Sequence, residues 1–290
     1  MKKTILLVIM LIMMLAACST TQNDQNDQGE GQADNDVDTE ENEDNAEASN
    51  DDSTNELDEE KSDEAQTEDE ELVTEDEVEP LYEVSQSTWH VVPTNESANE
   101  KVVLLTIDDA PDQYALEMAR TLKELDAGAI FFVNGHFMET EEKKAIVKQL
   151  YDMGFLIGNH TYSHSSLPDL STEEQKEEIV RVNDMVEEIT GERPAFFRAP
   201  FGANTDYTKE VAKQEKMVLM NWVYGYDWEK QYRTPEALTD IMVNTDLLGN
   251  GANLLMHDRE WTSAALGQIV TGLRDKGYEI VKPELIKTIQ

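Results

Sequence analysis

From residue 102 onward the chain alternates between two periodicities. Seven apolar runs of strand length recur: VVLLTI, AIFFVN, FLIGN, AFFRA, MVLMNWV, NLLM and YEIV. They are apolar on consecutive positions, as strands buried on both faces are, whereas a strand with one wet face alternates. Between them lie longer segments with helical spacing. In QYALEMARTLKEL, Leu116, Ala119, Leu122 and Leu125 share one helical face. STEEQKEEIVRVNDMVEEIT opens with Ser171 and Glu174 at the spacing of a capping box. TPEALTDIMVNTDLL opens with Pro235 at a first helical position. Gly128, Gly154, Gly191 and Gly277 each follow a helical segment and precede an apolar run. Glycine there takes the left-handed conformation that stops a helix. Strand, helix, glycine and strand in repetition mean βα units and a parallel sheet, hence an α/β fold. A doubly wound open sheet and a (β/α) barrel both satisfy the pattern. No G-x-G-x-x-G follows the first run, which argues against a dinucleotide site.

The chain ahead of this region has a different character. MKKTILLVIMLIMMLAAC places two lysines before an apolar run that ends in small residues, the layout of a secretory signal. The run falls short of the roughly 20 apolar residues that span a bilayer. Leu15 to Cys18 resembles a bacterial lipobox, which implies a signal peptide over 1–17, cleavage before Cys18 and lipidation of its thiol. Cys18 is the only cysteine, so no intrachain disulfide can form. Ser19 to Pro80 then carries 27 acids against one lysine, Lys61. Such a segment cannot bury enough apolar surface to offset its ordering entropy. Residues 18–80 are expected to form a disordered acidic tether, with its ends roughly 40–50 Å apart or more. The expectation is a domain at 81–290 held on the extracytoplasmic face of the cell membrane. That domain is itself acidic, at net −15, which argues against nucleic acid, whose binding rests on neutralising phosphates. Nothing in it marks an obligate protein partner.

Five of the apolar runs end in chemically unusual company. LLTI ends in Asp108-Asp109, FLIGN in HTYSH, and AFFRA contains Arg198 and leads into Pro200-Phe201. NWVYGY ends in Asp227-Trp228, and NLLM in His257-Asp258. Each cluster lies at the carboxyl end of an expected strand, the edge where parallel α/β folds build sites. His160 and His164 are four apart, a spacing that puts both imidazoles on one side of a helical turn. Two histidines, one carboxylate and an open position make a frequent catalytic metal set. His90 and His136 stand outside these clusters and read as surface or packing residues.

In this order the five clusters resemble the polysaccharide deacetylase family (the NodB-homology domain, carbohydrate esterase family 4). Its T-F-D-D-G-P motif is matched by Thr106-Ile107-Asp108-Asp109-Ala110-Pro111. Its H-[ST]-x-x-H is matched by His160, Thr161 and His164, and its R-x-P-[YF] by Arg198, Pro200 and Phe201. Asp227-Trp228 and Leu255-x-His257 match the last two motifs. The resemblance runs from about Lys101 to the C-terminus and implies a distorted (β/α) barrel of parallel strands. It implies a divalent metal on Asp109, His160 and His164, zinc first, with Co2+ as an alternative. It makes Asp108 the general base, oriented by Arg198, and His257 the general acid, oriented by Asp227. The backbone N–H of Phe201 becomes the oxyanion donor, and Trp228 and Leu255 the pocket for the acetyl methyl. The implied reaction is metal-dependent removal of N-acetyl groups from a cell-envelope polysaccharide, peptidoglycan N-acetylglucosamine first and a chitin-like glycan next. An O-acetyl xylan esterase and an inactive wall-binding lipoprotein of the same fold are the alternatives. Fe(II) oxygenases use a similar metal face, but on other folds. Two positions depart from the motif. Ile107 keeps an apolar strand residue. Ala110 replaces glycine, and were positive φ needed there, a side chain would cost about 1 kcal/mol or more and could displace Asp109.

Overall fold

The computed structural model describes residues 79–289, so the expected signal peptide, Cys18 and nearly all of the acidic tether lie outside the described residues. Two three-residue strands come first, β1 (Tyr82–Val84) and β2 (Val91–Pro93), paired antiparallel. Strand and helix then alternate as β3 (Val102–Ala110), α1 (Ala115–Glu124), β4 (Ile130–Val133), α2 (Glu141–Asp152) and β5 (Leu156–Asn159). There follow α3 (Thr172–Thr190), β6 (Phe196–Phe197), α4 (Asp206–Gln214) and β7 (Val218–Leu219). The last elements are α5 (Pro235–Asn244), β8 (Ala252–His257), α6 (Glu260–Asp275) and β9 (Glu279–Ile280). Each of the seven apolar runs supplies one strand of a parallel sheet, ordered β7-β6-β5-β4-β3-β8 with β9 also beside β3.

The run at 217–223 forms a shorter strand than its apolar length suggests, and the reason is closure of the sheet. Met220 still donates its N–H to Phe197 O at 2.8 Å, on the β6 side. The chain then crosses to the opposite edge. There Val223 N–H donates to Asn253 O at 2.8 Å, and Leu255 N–H donates to Tyr224 O at 2.9 Å. One segment thus bonds to both edges and curls the sheet into the distorted barrel.

Side chains alternate between two cores. Val103, Leu105 and Ile107 of β3 face outward, into a core shared with the helices. Val102 and Leu104 face inward, with Ile130, Phe132, Phe196 and Met220. Thr106 and Asp108 follow in the inward phase. The β1–β2 hairpin belongs to the inner core through Tyr82, Val84 and Val91, and Val91 N–H donates to Gly251 O at 2.8 Å. It therefore plugs the barrel at the end opposite the polar clusters. Three-residue strands carry too little periodicity to be read in advance.

The helix signals are met with two local differences. Ser171 and Glu174 form the capping box, and Pro235 sits at the start of α5, capped by Thr234. In α1 the buried face is Ala115, Met118, Ala119 and Leu122, leaving Leu116 and Leu125 half-buried on its flanks. Gly154, Gly191 and Gly277 take φ of 91°, 87° and 83°, whereas after α1 Asp126 takes the left-handed position at φ 46°. Gly128 is needed for a close approach instead, since a Cβ there would lie 2.6 Å from Pro283 Cδ.

Candidate active site

The site begins where β3 ends. Strand alternation would send Asp108 inward and Asp109 out toward the helices. The pairing of β3 with β4 shifts register between Ile107 and Ala110, and Asp109 adopts φ 63°. That left-handed residue turns its carboxylate back over the barrel mouth beside Asp108. Ala110 then resumes the ladder opposite Val133, fully buried in the outer core, and is not a positive-φ residue. The conformational demand raised for Ala110 falls on Asp109 instead, and the alanine methyl is packing material.

Asp108 is held from behind. Arg198, fully buried, donates from Nη1 to Asp108 Oδ1 at 2.6 Å and to Thr106 Oγ1 at 2.9 Å, and from Nη2 to Asn221 O at 3.0 Å. Its guanidinium lies 4.3 Å from the centroid of the Phe132 ring. Burial lowers the Arg198 pKa, and the Asp108 charge opposes that shift. A buried cation of this kind is tolerated only because it is paired and hydrogen-bonded.

His160 and His164 follow β5, but the segment joining them is an irregular turn rather than a helical one, with Thr161 at φ 67° and His164 at φ 58°. Buried polar side chains impose this path. Asn159 Oδ1 accepts the Thr161 N–H at 2.9 Å, and Asn134 Nδ2 donates to His160 O at 2.6 Å. Glu178 of α3 accepts the Ser163 N–H at 2.8 Å and the Ser163 hydroxyl at 2.7 Å. His160 Nδ1 faces Arg198 O at 2.7 Å. Nδ1 therefore carries the proton and leaves the Nε2 lone pair toward the cleft. His160 Nε2 and His164 Nε2 lie 3.9 Å and 3.5 Å from Asp109 Oδ1. One donor atom from each of Asp109, His160 and His164 falls within 4.8 Å of the others. The His164 pKa is lowered, first by burial and then by His160 alongside, which favours the neutral imidazole that binds metals. A buried carboxylate, two imidazoles and an open side fit a divalent cation.

Across the cleft stands His257, at the end of β8. Its Nδ1 lies 2.7 Å from Asp227 Oδ1, and its backbone N–H donates to Asp227 Oδ2 at 2.6 Å. Thr262 Oγ1 donates to the same Oδ2 at 2.8 Å. Burial pushes the His257 pKa down, but Asp227, with Asp108 and Asp109 behind it, reverses this and the pKa is raised. A cavity of about 600 Å³ gathers Asp108, Asp109, His160, His164, Phe201, Asp227, Trp228, Leu255 and His257. Arg198 stands behind it. Phe201 has φ 59°, and its exposed ring lies edge-on to His164 at 4.9 Å. The Trp228 ring lies edge-on to His257 at 5.5 Å. Gly225 makes room for that ring, since a Cβ there would sit 2.7 Å from it and 2.3 Å from Leu255 O.

Comparison with known proteins gives this geometry a family. The polysaccharide deacetylase pattern matches residues 95–220. A peptidoglycan-N-acetylglucosamine deacetylase of Bacillus cereus is 30% identical over 217 residues, covering 72% of this chain and 95% of that protein. The chain belongs to the polysaccharide deacetylase family. The peptidoglycan-N-acetylmuramic acid deacetylase PdaC of Bacillus subtilis is 32% identical over 195 residues, 66% of this chain, and the match spans 40% of that relative's length. Its solved structure matches with a TM-score of 0.56 at 33% identity, covering 63% of this chain and 88% of that one. A Bacillus anthracis pseudoenzyme of the same family matches with a TM-score of 0.57 at 29% identity, covering 62% of this chain and 63% of that one. Relatives in this family thus include named deacetylases and an inactive form.

The structure also places residues in the site that the motifs did not single out. Arg259 Nη2 donates to Asp109 Oδ2 at 2.7 Å, and its Nη1 to Asp112 Oδ2 at 3.0 Å. Trp222, Trp261 and Arg233 complete the cavity wall. Arg259 could have been noticed as the second residue past His257 in an established cluster, whereas Trp222 and Trp261 carry no such signal. Asp258 accepts the Tyr114 N–H at the start of α1, the loop-supporting role that its place beside the motif suggested. His136 turns away, its Nδ1 2.8 Å from Tyr162 O.

Proposed function

We propose that this chain is a metal-dependent N-deacetylase of a cell-envelope glycan, with peptidoglycan N-acetylhexosamine as the first substrate class. The observation that carries the reading is the convergence of two polar pairs, Asp108–Arg198 and His257–Asp227, on opposite sides of the Asp109/His160/His164 cluster. Hydrolysis of an amide needs a base for the water and an acid for the amine, and the two pairs supply one each. The curated relatives' names support the glycan.

Asp109, His160 and His164 hold the cation, which when bound supplies Lewis acidity toward the acetyl carbonyl and a more acidic water. Asp108 Oδ2, the oxygen that Arg198 leaves free, accepts the water proton as the new C–O bond forms. The Phe201 N–H donates to the oxyanion. His257 Nε2 then gives its proton to the departing amine nitrogen as the C–N bond breaks, while Asp227 holds the ring and favours its cationic form. Leu255 and Trp228 close around the acetyl methyl and leave little room for a longer acyl chain. Cys18, lipidated, anchors the protein on the outer face of the membrane, and the acidic segment spaces the domain from it. The aromatic walls suit sugar rings, which favours this reading over metal-dependent oxidation. The intact base and acid favour it over an inactive wall-binding protein.

The test is acetate release from peptidoglycan and chitin oligomers, followed by mass spectrometry, using enzyme stripped of metal and then reloaded with zinc or cobalt. Loss of 42 Da per site (the ordinary mass change of deacetylation) only in the reloaded samples is expected, by the chemistry of metal-assisted hydrolysis. Metal binding without acetate release from any glycan would favour the inactive alternative.

A further inference from the structure

Three arginines stand at the cleft of a domain that is otherwise strongly acidic. Two are neutralised. Arg198 serves Asp108, and Arg259 serves Asp109 and Asp112. Arg233 also lines the cavity, yet among the described residues no carboxylate pairs with it. Its guanidinium is nevertheless held in place. Nη2 donates to Trp228 O at 2.8 Å, and the group lies 5.3 Å from the centroid of the Trp261 ring. Trp261 in turn donates from Nε1 to Asp227 O at 2.8 Å. The cation is thereby tied to the residues that position His257, on the side of the cleft where the amine departs.

We propose that Arg233 is a specificity residue that reads a carboxylate carried on the sugar next to the reacting acetamido group. The inference rests on the deacetylase reading and narrows its substrate class. The amine nitrogen that His257 protonates sits on carbon 2 of the sugar, so a substituent on carbon 3 is its nearest neighbour. A lactyl ether there, as in a muramic-type sugar, carries a carboxylate, and glucosamine in a chitin-like chain carries only a hydroxyl. Arginine matches a carboxylate with two parallel N–H donors. The need is real in this protein: the acidic domain repels an anionic glycan, and screening at physiological salt leaves the repulsion within about 8 Å of the surface intact. A cation fixed at the mouth offsets it locally.

The experiment compares the full chain with Arg233→Gln and Arg233→Lys on two glycans of equal length. One is a neutral chitin oligomer, the other a glycan strand with free lactyl carboxylates. The readout is the ratio of kcat/KM, anionic over neutral, at low and high salt. Arg233→Gln should lower that ratio about tenfold, the worth of one charge-assisted hydrogen bond partly open to water. Arg233→Lys should restore part of it, and added salt should shrink the wild-type preference. A ratio unchanged by Arg233→Gln, or equal losses on both glycans, would overturn the proposal. Equilibrium binding of the same two glycans, measured calorimetrically, separates the two claims. If wild type releases acetate from neither, the deacetylase reading fails. Arg233 is then judged on whether the wild type binds the anionic glycan more tightly and Arg233→Gln erases that difference.

Discussion

Asp108 and Asp109 are neighbours on one strand, and each has its own arginine, yet the two pairs are built differently. The Asp108–Arg198 pair is sealed, with side-chain exposures of 2% and 0%. The Asp109–Arg259 pair sits at the rim, with 12% and 33%. Asp108 keeps ordinary strand backbone, and its partner is wrapped by Thr106, Asn221 O and Phe132. Asp109 needs a left-handed backbone to reach the mouth at all, and it shares its oxygens between Arg259 and the histidines. The difference suits the roles proposed for them: a general base gains from a rigid, dry cradle, and a ligand that meets a cation from solution needs an open side.

The sharpest way to break the comparison is to remove each carboxylate in turn. Asp109→Ala should lose both metal and turnover, since a three-ligand site keeps little affinity with two. Asp108→Asn should keep the metal and lose turnover by about 10²- to 10⁴-fold, the usual worth of a general base. Elemental analysis beside acetate release checks both. Metal retained in Asp109→Ala, or metal lost from Asp108→Asn, would exchange the two roles.

The arginines should part company in stability rather than in chemistry. Arg198→Met strands a buried carboxylate and should cost about 3–5 kcal/mol in urea unfolding. Arg259→Met breaks a pair that water can reach and should cost about 1 kcal/mol or less. Equal losses would mean that the rim pair is as sealed in solution as the inner one.

A third carboxylate extends the comparison to the acid side. Asp227 is as buried as Asp108, but its partner is the imidazole proposed as the general acid. Since Asp227 does most to raise the His257 pKa, Asp227→Asn should lower it. A general acid works only while protonated, so the alkaline limb of the kcat/KM profile should move to lower pH. Turnover near neutrality should fall about ten- to a hundredfold, a fraction of the full worth of acid catalysis. An unmoved alkaline limb would remove His257 from the acid role.

Much of this was legible in the sequence because it depends on order along the chain. Apolar runs and helix caps are local signals, and the polar clusters lie at strand ends wherever a parallel sheet forms. The seven strands and eight of the nine residues that meet in the cavity were reached on that basis, and Leu255 through the family resemblance. What stayed hidden depends on contacts between distant segments. The helical spacing of His160 and His164 is overridden by Asn134, Asn159 and Glu178, which bond the turn into an irregular path. The β1–β2 plug and the crossing of residues 220–224 between sheet edges are matters of closure, which no window of sequence contains. Arg233 and Arg259 belong to no motif read from the chain.

The smallest expected effect concerns the residue between the acid pair and Pro111. Ala110→Gly restores the glycine of the family motif, and if position 110 governed where Asp109 points, activity should rise. The backbone argues otherwise. The left-handed residue is Asp109, and Ala110 pairs with Val133 while its carbonyl accepts the Asn134 N–H at 3.0 Å. Glycine there would loosen the unfolded chain and give up a buried methyl, costing about 0.5–1 kcal/mol. Turnover should stay within about twofold, a difference of under half a kcal/mol in the barrier. A tenfold gain in acetate release from Ala110→Gly would return the control of Asp109 to its neighbour. Unchanged turnover with slightly lower urea resistance would leave it with the strand's own register shift.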